Sequence, residues 1–208
     1  LVLCAVLSTW VRAGMNNVLG KFHINSLTFP FVLLTWIFLL ASRVMDSLIP
    51  LNAAAPVSSP DGFSMASLAI YWLKGISQVF LINSWITGIL FLIGLAVCSR
   101  MAAAWAMAGS AIGIAIAFLF GADASGIENG LFGFSPVLTA IAVGCVFNKP
   151  GLRSAIWTIF AVITTVFMQA ATNTFLSTWE LPALTAPFCV TTWMFLLPAC
   201  ISNGKFCK

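Results

Sequence analysis

Side chains capable of acid–base, nucleophilic or metal chemistry are sparse in this chain. His23 is the one histidine, and no two of the five acids share an apolar run. H-E-x-x-H, G-x-S-x-G and phosphate-binding glycine loops are all missing. The six cysteines (Cys4, Cys98, Cys145, Cys189, Cys200, Cys207) form no C-x-x-C pair and read as small packing residues, not metal ligands or disulfides. What remains is neutral hydrogen bonding. The amide oxygen of Gln78 can accept from an N–H donor, and so can the hydroxyls of Thr28 and Thr185. Phe134 and Leu138 lie four apart, on one face of a helix. A ring and a leucine walling a slot would admit a flat molecule and exclude a hydrated ion. This set suits a small, uncharged polar solute that must find partners in a dry path, where an unpartnered polar group costs roughly 2–7 kcal/mol. A threonine in an apolar helix commonly bonds back to its own backbone, so a role for either threonine depends on where the fold puts it.

The elements that must position these groups are membrane helices. Hydrophobic residues make up 61% of the 208, and charged residues only 7%, too few to form a solvated shell. Charge-free runs cover 75–99, 101–122, 129–148, 154–179 and 181–204, each long enough to span a bilayer as a helix. No run alternates like a barrel strand, so the fold class is an all-α polytopic membrane protein. The net charge of +4 matters less than its placement. Arg100, Lys149, Arg153, Lys205 and Lys208 fall on one side of the predicted spans, and Asp123, Glu128 and Glu180 on the other. The positive-inside rule makes the C-terminus cytoplasmic, with Arg43 the one dissenting charge. Residues 46–64 carry Pro50, Pro56, Pro60 and Gly62 and read as a polar, extracytoplasmic linker. Residues 65–82 hold Lys74 in mid-run and break at Asn83-Ser84, which predicts a re-entrant helix. Gly109 and Gly113 predict close helix packing, not a functional site.

Residues 13–40 and 170–197 align without a gap at an offset of 157, with twelve identities in twenty-eight positions. Both copies contain T-x-P-F and then T-W (Thr28, Pro30, Phe31, Thr35, Trp36; Thr185, Pro187, Phe188, Thr192, Trp193). General hydrophobicity does not explain that pattern. The charges flanking the copies put them in opposite orientation, so the chain reads as two inverted-topology repeats, with broken and re-entrant helices lining a central pore. Residues 1–45 are the end of the first repeat, and 65–208 the complete second one. The chain opens on Leu1 instead of Met, so an upstream portion is expected.

These motifs resemble the urea transporter family. ELPALTAPF (180–188) is similar to its L-P-x-x-T-x-P-F signature, and INSLTFPF (24–31) matches from Leu27 onward. GISQVF with the following N-S-W-I-T-G (75–88) resembles the pore-helix segment, and GLFGFSPVLTAIAVG (130–144) the slot segment. The resemblance implies two inverted halves in a homotrimer, one pore per subunit, in the cell membrane. It implies that the first re-entrant helix and first slot aromatic lie upstream of this chain. Position by position, Gln78 matches the acceptor at one mouth, with Val79 beside it. Phe134 and Leu138 match the slot, and Thr28 and Thr185 the central threonines. Leu81 stands where the family can have an aromatic. The implied activity is facilitated diffusion of urea, without cofactor, metal, ion gradient or nucleic acid. A channel for another small neutral solute (short amides, ammonia or water) is the alternative, and a membrane enzyme a more distant one.

Overall fold

The computed structural model describes residues 2–22, 24–42 and 65–202. His23, the 46–64 linker and the tail with Lys205 and Lys208 lie outside the described residues. Nine α-helices occur among the described residues, with no strand. They are α1 (Val2–Leu19), α2 (Phe29–Ser42), α3 (Met65–Ser77), α4 (Trp85–Cys98), α5 (Arg100–Leu119), α6 (Ala124–Glu128), α7 (Phe134–Ile141), α8 (Leu152–Ser177) and α9 (Ala186–Ser202). A 3-10 turn at Gln78–Phe80 follows α3, and a π turn at Ala142–Val146 extends α7.

The protein is an all-α membrane protein. α5 and α8 are each long and apolar enough to cross a bilayer, and at 1.5 Å per residue they span about 30 and about 39 Å. α4 exposes Leu90, Ile93 and Val97 along one stripe, an apolar face suited to lipid. The segments 67–80 and 85–98 meet at 70°, and their break covers the predicted Asn83-Ser84. Two charge-free runs are longer than the helices inside them. Run 129–148 contains an apolar helix only over Phe134–Val146, and run 181–204 begins its helix at Ala186. In each case the first residues are turns or irregular backbone, which hydropathy does not distinguish from helix.

Contacts divide the chain into two units, 1–56 with 172–208, and 57–171. In the second unit, α5 and α7 pack with their backbones close together. A Cβ on Gly109 would lie 2.8 Å from Pro136 O, and one on Gly113 would lie 2.6 Å from Phe132 O. The G-x-x-x-G is therefore a packing seam, as expected. Tyr71, Ile114, Ile127, Phe132 and Val166 form the core beside it. In the first unit, Leu176, Leu181 and Ala183 pack with Trp36 and Leu39.

Candidate functional site: a threonine pair and an oriented glutamine

In the first unit the two copies of the repeat fold alike. After each helix, three residues without regular structure lead to a leucine in the left-handed region, and a new helix starts just after the threonine. Leu27 has φ 54° and Leu184 φ 48°. Leu is not a residue that favours this region, yet the same strained turn occurs at the same register in both. The backbone bonds repeat as well. Ile24 N donates to Leu19 O (3.2 Å) and Leu181 N to Leu176 O (3.0 Å). Phe29 N donates to Ser26 O (3.2 Å) and Ala186 N to Ala183 O (3.1 Å). Val32 N donates to Thr28 O (3.3 Å) and Cys189 N to Thr185 O (3.1 Å). Pro30 and Pro187 fall in the first turn, where a missing N–H is least costly.

This turn releases the threonine side chains. Thr35, Thr139, Thr158 and Thr164 all donate to the carbonyl four residues back. Thr28 and Thr185 have no such carbonyl in place, because Ile24 and Leu181 lie in the non-helical lead-ins. Their hydroxyls instead bond each other at 2.8 Å. Thr28 Oγ1 also lies 3.3 Å from Cys189 Sγ. Sequence symmetry leads one to expect the hydroxyls to converge, each donating to a freed backbone carbonyl. They do converge, but their bond is to each other.

The freed carbonyls have other partners. Trp36 Nε1 donates to Pro182 O at 2.8 Å, and Trp193 Nε1 donates to Asn25 O at 3.1 Å. The offset of 157 maps Trp36 onto Trp193 and Asn25 onto Pro182, so each copy makes the same contact to the other. Such reciprocity is the mark of a twofold relation. The pairings 25 with 193, 28 with 185 and 36 with 182 rise along one copy while falling along the other. The two broken elements therefore run antiparallel. Phe29 packs on both indoles, with ring centroids 6.4 Å from Trp36 and 5.2 Å from Trp193.

In the second unit, Gln78 sits in the 3-10 turn after α3 and is buried. Its Nε2 donates to Asn129 O at 2.8 Å. That partner accepts only, so it requires the amide nitrogen to face it and directs Oε1 the other way. Asn129 is held in turn by Asn83, whose Nδ2 donates to Asn129 Oδ1 at 2.7 Å, and by its own Nδ2 on Ser125 O at 2.8 Å. Glycines allow α3 to reach this turn. Gly130 adopts φ +70°, and a Cβ there would lie 2.5 Å from Gly75 N. Gly133 likewise abuts Gly75 Cα, at 2.7 Å from its would-be Cβ. Just before this turn, Asp123 caps α6 by accepting from Ser125 Oγ and from Gly126 N. The Ser125 bond, more than the Gly126 one, holds its carboxyl below the usual carboxylate range against a slight desolvation effect.

The other expected residues divide by exposure. Val79 packs on Ile76, Ala106 and Val137. Leu81 caps the turn in the left-handed region and is exposed. Its neighbour Phe80 is exposed too and stacks edge-on with Phe91 at 4.8 Å. Phe134 opens α7 and is buried, while Leu138, one turn on, is half-buried. The segment that opens α7 is anchored to α8 by Ser135 Oγ donating to Gln169 Oε1 (2.7 Å) and Thr165 Oγ1 donating to Thr139 Oγ1 (2.9 Å). Sequence reasoning does not single out Asn129, Cys189, Trp36 or Trp193 as contributors. For the tryptophans the signal is present, since T-W recurs in both copies.

Comparison with known proteins yields one family. A family model described as urea transporter matches residues 1–200. The chain is 28% identical over 191 residues to urea transporter 1 of Ovis aries, covering 89% of this chain and 50% of the relative. It is 26% identical over 199 residues to urea transporter 1 of Rattus norvegicus, covering 93% of this chain and 51% of the relative. The chain thus spans about half the length of the curated relatives it matches.

Proposed function

The chain belongs to the urea transporter family, and we propose that the protein it comes from conducts urea by channel-like facilitated diffusion. The family is one of transporters, not enzymes. The observation that carries the reading for this chain is the threonine pair, two hydroxyls from antiparallel copies at 2.8 Å with no bond to their own helices. Two hydroxyls hold four lone pairs, and their mutual bond uses one. The lone pairs not used by that bond or by the Cys189 Sγ contact stay open to N–H donors. Urea is flat, neutral and rich in N–H groups. Gln78 Oε1, oriented by Asn129, supplies a further acceptor at one mouth, with Val79 and Leu81 beside it. Phe134 and Leu138 wall the narrow part of the path, where a hydrated ion finds no charge to replace its water.

In this reading residues 1–45 end the first inverted repeat and 65–208 form the second, with a re-entrant segment near 65–82. The protein is a homotrimer of the cell membrane with one pore per subunit and a cytoplasmic C-terminus, and the 46–64 linker is extracytoplasmic. Transport by the full-length protein in proteoliposomes tests it. Rapid urea flux, unchanged by removal of sodium and selective over acetamide, is expected. Sodium-dependent flux, or flux of water or short amides without preference for urea, would overturn it.

A further inference from the structure

The lead-in before each threonine is not helical, so the carbonyls of Asn25 and Pro182 have no helical partner, and in an apolar environment they must be satisfied by another part of the protein. At Asn25 and Pro182 the donor is an indole N–H from the opposite copy. We propose that Trp36 and Trp193 are positioning residues for the urea path: a reciprocal clamp in which each tryptophan holds the lead-in of the opposite threonine and so sets the spacing of the two hydroxyls. This rests on the reading of Thr28 and Thr185 as urea partners.

Three observations support the clamp. The bonded carbonyls lie three residues before the threonines, with only the left-handed leucine and one other residue between, so a tie there sets where each hydroxyl lands. The two ties flank the hydroxyl pair, one on each side, so the pair is held at both ends. An indole is a donor only, on a rigid two-torsion side chain, and here the Phe29 ring wedges against both indoles. A side chain with a hydroxyl or amide could also turn toward the threonines and compete for their lone pairs. Tryptophan cannot accept from them.

The test is a set of double-mutant cycles in the full-length protein. Trp36→Phe and Trp193→Phe keep an aromatic ring and remove the donor. Each is made alone and on a Thr28→Val/Thr185→Val background, with assembly checked by size and urea flux measured in proteoliposomes. A positioning role predicts about a three- to tenfold loss of flux from either Trp change when the threonines are present, corresponding to one lost hydrogen bond. On the threonine-free background the same change should alter flux by less than about twofold, because the groups it positions are gone. Equal losses in both backgrounds mean that the tryptophans only support packing, and overturn the clamp. Wild-type flux in the threonine-free protein overturns the functional reading itself, and with it the purpose of the clamp. If a phenylalanine variant fails to assemble, benzothienylalanine at position 193 replaces the N–H by sulfur at nearly unchanged ring shape. Wild-type flux with that isostere overturns the proposal.

Discussion

Replacing Thr28 and Thr185 by valine removes both central hydroxyls at nearly constant volume. The structure makes the two single variants informative as well. Thr28 and Thr185 share one bond of 2.8 Å, so either single change breaks it and the second change cannot break it again. In thermal unfolding the single variants should each lose about 0.5–1.5 kcal/mol, and the double variant little more than one of them. Flux behaves differently. Thr185→Val leaves Thr28 Oγ1, with its Cys189 contact, as an acceptor for urea. Only the double variant leaves a urea N–H unpaired, at a cost of about 1–3 kcal/mol. If the pair sits at the barrier, that slows flux by roughly five- to 150-fold, while either single variant loses only about two- to tenfold. Stopped-flow light scattering on proteoliposomes of the full-length protein measures both. Additive stability losses, or a folded double variant with wild-type flux, would refute the reasoning.

Gly130→Ala places a methyl 2.5 Å from Gly75 N at φ +70°, so it should destabilise the protein by about 1–3 kcal/mol and displace Asn129 from Gln78; unchanged stability in unfolding experiments would contradict this. Gln78→Leu should slow urea flux, since it removes the acceptor at the mouth together with the donor to Asn129 O; equal flux would remove Gln78 from the path. Asp123 has a depressed folded-state carboxyl, so its cap contributes stability above the unfolded carboxylate range and loses it as pH falls through the depressed value. Asp123→Asn should therefore unfold with a weaker acid dependence, read from melting temperatures at pH 7 and pH 3. A cysteine at Ser58, in the proposed extracytoplasmic linker, should react with an impermeant maleimide in intact cells; labelling confined to the tail would invert the topology.

The repeat made the threonines legible. T-x-P-F at a fixed offset names the two residues, and the reciprocal contacts between the copies bring them together. Their mutual bond was not legible, because it depends on whether a carbonyl lies four residues back, and backbone conformation at Ile24 and Leu181 leaves no mark in hydropathy. The same blindness lengthened the expected spans, since 129–133 and 181–185 are charge-free without being helical. Gln78 stood out as a rare amide in an apolar segment. The group that orients it is a main-chain carbonyl, at Asn129, and periodicity carries no information about main-chain partners. Trp36 and Trp193 were visible as recurring letters, but their function as donors became apparent only when Asn25 and Pro182 were seen to be their acceptors.

The measurement that tests the account most directly is an experimental structure of the full-length protein with urea bound. Urea nitrogen within hydrogen-bond distance of Thr28 Oγ1 and Thr185 Oγ1 is the predicted result, with both indole–carbonyl bonds intact. Urea occupying the path elsewhere, with the two hydroxyls still bonded only to each other and to Cys189, would contradict it.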